Sequence, residues 1–180
     1  MTDQEILALY REGDPQGAFS LIVGQYSEKL YWYLRGMGLG HEDTDDLLQE
    51  IFVKVWNSLP SFRGESKLFT WLYRIATNEM LNFRRYNTVR SSISSATSIG
   101  EEANSRADED PYFDGDEVQR VLLRAIETLP DRQRAVFTMR YYDDMKYEDM
   151  AQILDVSVGS LKASYHIAYE KVKRYLEENL

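Results

Sequence analysis

Between Pro130 and Val172 the apolar residues recur at helical spacing, and the second half of that pattern is interrupted only by Asp155-Val156-Ser157. Two amphipathic segments joined this tightly read as a helix-turn-helix, and a helix opening at Pro130-Asp131 supports it from the amino-terminal side. Asp131 is expected to offer a side-chain acceptor to the free N–H groups of that supporting helix. In the next segment Met150, Ala151, Ile153 and Leu154 are the apolar positions, and small Ala151 allows a neighbouring helix to come close. Ser157 is expected to cap the last helix, whose inward face is Leu161, Tyr165, Ala168, Val172 and Tyr175. Its first exposed turns carry Ser157, Ser160, Lys162, Ala163 and His166, where such motifs place side chains into a major groove. Asp155 falls where the turn needs a left-handed backbone, a conformation Asp tolerates better than most residues. An ordinary helical hairpin is the plainer reading of the same pattern.

The remainder of the chain shows no β pattern and no internal repeat. Four helices are expected at roughly 3–12, 15–37, 43–58 and 66–86, the second opening favourably at Asp14-Pro15. In the third, Leu47, Leu48, Ile51, Phe52, Val55 and Trp56 form the apolar repeat, with Asp45, Asp46, Gln49, Glu50 and Lys54 outside or at its edge. In the fourth, Leu68, Leu72, Ile75, Ala76 and Phe83 are the expected buried stripe, while Tyr73, Arg74, Thr77 and Arg84 share another face. Residues 87–115 break the pattern, with Ser91-Ser92-Ile93-Ser94-Ser95, Glu101-Glu102 and Asp108-Glu109-Asp110-Pro111. So few apolar groups among so many like charges predict a mobile linker, either a plain spacer or an acidic strand suited to a basic channel. The expected architecture is therefore all-α: one small helical domain at 1–86, a flexible acidic linker at 87–115, and a second small helical domain at 116–180.

A net charge of −9 is at odds with nucleic-acid binding through bulk electrostatics, because phosphate contacts need Lys and Arg. Either DNA meets small local basic patches, or a larger basic partner carries the chain to it. With no cysteine there is no disulfide or thiolate metal site, and no apolar run reaches the ~18 residues of a membrane span. The acidic start, Met1-Thr2-Asp3-Gln4-Glu5, lacks an export signal, and the cytoplasm is the expected compartment.

Asp43, Asp45, Asp46 and Glu50 could be a metal cluster or the acidic first turns of a helix stabilised by its dipole; no His or second carboxylate pair completes a metal shell. No metal and no cofactor is expected. A second set mixes aromatics, amides and cations: Phe62-Arg63-Gly64-Glu65-Ser66, then Trp71, Tyr73, Arg74, Asn78, Asn82, Arg84 and Arg85. Such a mixture suits separated DNA strands, since rings stack on bases, Asn reads base edges and Arg neutralises phosphate. The two histidines, His41 and His166, lie in no triad-like arrangement and no phosphate-cradling glycine loop occurs, so nothing supports an enzyme.

Three segments in order, Asp45–Trp56, Phe69–Asn78, and Leu129-Pro130 with the helix-turn-helix, resemble the extracytoplasmic-function sigma factors of bacterial RNA polymerase. The resemblance implies a region 2 that docks on the clamp coiled coil of the largest polymerase subunit and melts the −10 element. It implies a region 4 that grips the −35 element and the flap of the second-largest subunit, and an anti-sigma partner that restrains the whole. Carried onto these residues, Asp46, Gln49 and Glu50 become clamp contacts. The loop Ser61–Ser66, with Phe62 and Arg63, captures a flipped −10 base, Asn78 lines that pocket, and Arg74, Arg84 and Arg85 hold the backbone near the melting point. Lys162, Ala163, His166 and Ile167 face the −35 groove. Ser164, Ile167 and Tyr169 stand where many family members carry Arg, so the −35 preference of relatives does not transfer. Two rival readings remain at this level, a free-standing helix-turn-helix regulator and a sigma-like decoy that docks on proteins without touching DNA.

Overall fold

The structure is a computed structural model that describes residues 1–94 and 115–180. Among these residues the regular elements are all helical: α1 Asp3–Arg11, α2 Pro15–Gly36, α3 His41–Ser58, a short 3-10 turn Leu59–Ser61, α4 Leu68–Ser94, α5 Glu117–Glu127, α6 Asp131–Tyr141, α7 Tyr147–Leu154 and α8 Val158–Asn179. Local chemistry sets several of the boundaries. Thr2 and Glu5 form a reciprocal capping box at α1, and Asp14 accepts from the Gly17 N–H at 2.9 Å with Pro15 as the first helical residue of α2.

The amino-terminal domain buries Ile22, Leu30, Leu34, Leu47, Ile51, Val55, Leu68, Leu72 and Met80 at its centre. Tyr33 is fully inside it, with its hydroxyl 2.8 Å from that of Thr77, and burial pushes its phenol above the ordinary tyrosine range. The carboxy-terminal domain has its own small core of Ala125, Ile126, Leu129, Phe137, Ala168 and Val172. Helix α6 divides the two: Phe137 faces that core, while Ala135, Val136 and Met139 join α7 and Leu161 in a cluster continuous with the amino-terminal interior. The helix is therefore buried on nearly every side, from Arg134 through Met139.

Two expectations are corrected here. Helix α4 runs past 86 to Ser94, and within the extension the hydroxyls bond back to the preceding turn, Thr88 Oγ1 donating to the Arg84 carbonyl and Ser92 Oγ to that of Val89, each at 2.9 Å, which a helical backbone accommodates. The linker reading of 95–114 lies outside the described residues. Trp56, placed in the buried stripe of α3 by its spacing, is 38% exposed and meets Phe19 edge-on at a centroid distance of 5.2 Å.

Candidate nucleic-acid and polymerase interfaces

Helix α4 separates its side chains into two faces. Tyr73, Thr77, Met80 and Arg84 recur at spacings of four, three and four, so they lie on one side; Trp71, Arg74, Asn78 and Arg85 lie on another. Tyr73 is thus a core residue: it is 2% exposed, its ring centroid lies 5.1 Å from that of Tyr33 and 4.5 Å from that of Phe69, and burial raises its phenol pKa. Its expected place among the DNA-handling residues is corrected by this packing, and it does not share a face with Arg74.

The other face borders a cleft of about 460 Å³ lined by Ser61, Phe62, Arg63, Glu65, Ser66, Trp71, Arg74 and Gln152. The loop from 61 to 66 bends through Gly64, whose φ of +76° favours a residue without Cβ. Phe62 and Trp71 meet with ring centroids 4.8 Å apart at an interplanar angle of 39°, half-buried, so that each ring keeps an accessible edge or face beside exposed Arg63. An aromatic pair flanked by cations is a platform on which a base can stack while phosphate is neutralised. Asn78 is exposed one turn beyond Arg74, outside the cleft lining, and Arg85 is exposed further along. Arg84 turns to the seam between the domains, where Nε donates to Asp131 at 2.8 Å and Nη1 to the Met37 carbonyl at 2.6 Å. Asp131 accordingly does not cap α6, whose cap position is Pro130 with no side-chain bond.

In the carboxy-terminal domain the turn before α8 has the expected geometry. Asp155 is left-handed (φ 54°, ψ 51°), and Ser157 accepts from the Ser160 N–H at 3.1 Å. Leu161, Ala168 and Val172 face inward, leaving Ser160, Lys162, Ala163, His166 and Ile167 exposed together with Ser157. Lys162 Nζ sits 5.8 Å over the ring of Tyr147, which also carries Arg140 at 4.9 Å. These contacts hold a positive edge beside the exposed helix start.

On α3, Asp46, Gln49 and Glu50 are exposed on one side of the helix, and Val53, 60% exposed, continues their stripe toward Trp56. Sequence reasoning missed Val53 as a surface group; its signal was that it falls out of phase with the buried repeat.

A buried residue not singled out from the sequence is Arg134. It is 5% exposed and donates to the carbonyls of Ile126 (3.1 Å), Leu129 (3.3 Å), Glu127 and Met37 (2.9 Å), tying the α5–α6 turn to the end of α2. Nothing in one of two closely spaced arginines, Arg132 and Arg134, announces that role.

The family model for sigma-70 region 2 matches residues 22–90, and that for sigma-70 region 4 matches residues 119–172. A sigma-E factor of Haemophilus influenzae, an ECF RNA polymerase sigma factor, is 30% identical, over 98% of this chain and 96% of the relative. The chain belongs to the ECF sigma factor family. The sigma-E factor of Escherichia coli is 32% identical over 96% of this chain and 93% of its own length. Among solved structures, CnrH in complex with the cytosolic domain of CnrY superposes with a TM-score of 0.75 at 22% identity, covering 99% of each chain. The sigma factor RpoE of Bartonella quintana, in complex with the anti-sigma factor NepR, gives 0.72 at 23% identity over 88% of this chain and 96% of that one. These two likenesses establish the fold. As an ECF sigma factor, the chain acts in promoter-specific transcription initiation by RNA polymerase, in a family that is not a class of enzymes. No helix among the described residues is long and apolar enough to cross a membrane.

Proposed function

We propose that this chain works in the cytoplasm as a non-enzymatic specificity subunit, with region 2 capturing and melting the −10 element and region 4 reading the −35 element. The carrying observation is the aromatic cleft: Phe62 and Trp71 stand 4.8 Å apart beside Arg63 and Arg74, a fit for an unstacked base and its phosphates. The exposed start of α8, with Ser157, Ser160, Lys162, Ala163, His166 and Ile167, presents the polar and cationic groups that a duplex groove accepts.

Asp46, Gln49 and Glu50 dock on the polymerase clamp, and Val53 and Trp56 supply the apolar part of the same face. This resolves the net charge of −9: a basic docking surface on polymerase attracts the chain, and promoter affinity belongs to the assembled holoenzyme. An anti-sigma factor is the expected restraining partner; the Bartonella quintana sigma factor of similar fold is found in complex with one. No cofactor or metal takes part.

Mixing the purified chain with core RNA polymerase should give a co-eluting complex that starts transcription at defined sites. If the chain neither co-elutes nor alters the start sites, the assignment fails.

A further inference from the structure

Helix α8 turns an apolar row toward solvent. Leu161, Ala168 and Val172 define its buried side, and at about 3.6 residues per turn Gly159, Ala163 and Ile167 fall on the opposite side, spaced four apart. All three are exposed, and Ile167 keeps 46% of its surface free. A Cβ built on Gly159 would meet nothing within 4 Å, so packing inside the described residues does not call for glycine there. Glycine is unfavourable in a helix, and the close approach it permits lies on the side facing away from the protein.

The flanks of the row differ from its centre. Lys162 and His166 are exposed on one side and Ser160 on the other, so hydrogen-bonding groups border the row while its centre carries no side-chain donor or acceptor. Lys162 Nζ, held 5.8 Å over the Tyr147 ring, supplies positive charge at the rim. Exposed Glu170, three residues beyond Ile167 on the same side, ends the row with a carboxylate that phosphate repels.

That arrangement restricts what the row can read. Base edges in a major groove present donors and acceptors, and the C5-methyl of thymine is the one apolar group displayed there. Against Ala163 and Ile167 the oxygen and ring nitrogen of a guanine edge would lose water without gaining a partner, whereas a thymine methyl loses nothing by contact. From Gly159 to Ile167 the helix rises about 12 Å, the length of three to four base pairs at about 3.4 Å each.

We propose that Ala163 and Ile167 are specificity-determining residues that select thymine within the −35 element through its methyl group, with Gly159 letting the start of α8 settle close to the duplex. The inference rests on the reading of α8 as the −35 contact and names the bases that contact prefers. Polar groups on the flanks fix the register, and the apolar row chooses the sequence.

The test uses the full chain assembled with core RNA polymerase. Selection from promoters randomised across the −35 window gives the preferred sequence, and each thymine in it is then replaced singly by deoxyuridine, which lacks only the methyl. Holoenzyme binding, read by competition, should weaken about fourfold at one or two of these positions, the effect of exposing one buried methyl. Ile167 is exposed, so Ile167→Ala should fold normally; its holoenzyme should lose the response to deoxyuridine at one position and keep it at any other. Ile167→Arg should change the base selected at that same position from thymine to guanine. A selected sequence without thymine, equal binding of thymine and deoxyuridine throughout, an Ile167→Ala holoenzyme with the full wild-type response, or an Ile167→Arg holoenzyme that still selects thymine would each overturn the proposal. No base preference across the −35 window, with defined start sites retained, would instead overturn the assignment of α8 to that element and the proposal with it.

Discussion

Arg84 on α4 and Asp131 on α6 form an ion pair at 2.8 Å that joins two domains from positions 47 residues apart. The same arginine and Arg134 both donate to the Met37 carbonyl, at 2.6 and 2.9 Å, so the end of α2 is held by a cation from each domain. For the half-exposed pair a double-mutant cycle of Arg84→Ala and Asp131→Ala in urea unfolding should give a coupling of about 0.5–1 kcal/mol. A coupling near zero would mean that the carboxylate prefers solvent to the seam.

Arg134→Ala should be far more costly than either, by about 3 kcal/mol or more, because carbonyls of Ile126, Glu127, Leu129 and Met37 lose a buried charged donor together. Thermal unfolding followed by circular dichroism measures this; a loss under about 1 kcal/mol would show that water substitutes freely.

Tyr73 and Trp71 should separate stability from function. Tyr73→Ala removes a ring that is 2% exposed and should lower stability by about 3–5 kcal/mol. Trp71→Ala should fold nearly as well, and should impair promoter opening, read by permanganate reactivity of unpaired thymines, more than binding to core polymerase. Equal losses of opening and core binding in Trp71→Ala would return Trp71 to a structural role; the same comparison applies to Asn78→Ala.

At the turn of the helix-turn-helix, Asp155 holds φ 54°. Asp155→Val should destabilise by about 1–2 kcal/mol, since a β-branched residue resists the left-handed region. Asp155→Gly should be tolerated or mildly stabilising, and denaturant midpoints distinguish the two.

On the exposed start of α8, Lys162→Ala and His166→Ala should each weaken holoenzyme binding at the −35 element by about 1–3 kcal/mol if the side chain reads a base. Competition between promoters altered base by base measures it. A uniform loss across sequences, with a shallower salt dependence, would assign the residue to phosphate.

Much of this protein was fixed by local chemistry and could be read directly from the chain. Helix starts at Pro15 and Val158 follow from Asp14 and Ser157, whose side chains reach N–H groups three residues away. The left-handed Asp155 follows from the three-residue break, and the exposed turns of α8 follow from a period of 3.6. Only the tertiary structure decided what happens across distance. Asp131 could cap its own helix or meet a cation, and Arg84, 47 residues earlier, takes it; Arg134 finds its fourth carbonyl 97 residues away. Tyr73 belongs to the core because Tyr33 and Phe69 pack against it, and Trp56 stays partly outside although its spacing matches the buried stripe. Periodicity and caps depend on neighbours a turn away, whereas the burial of a borderline ring or the choice of an ion's partner depends on which helix arrives from elsewhere in the chain.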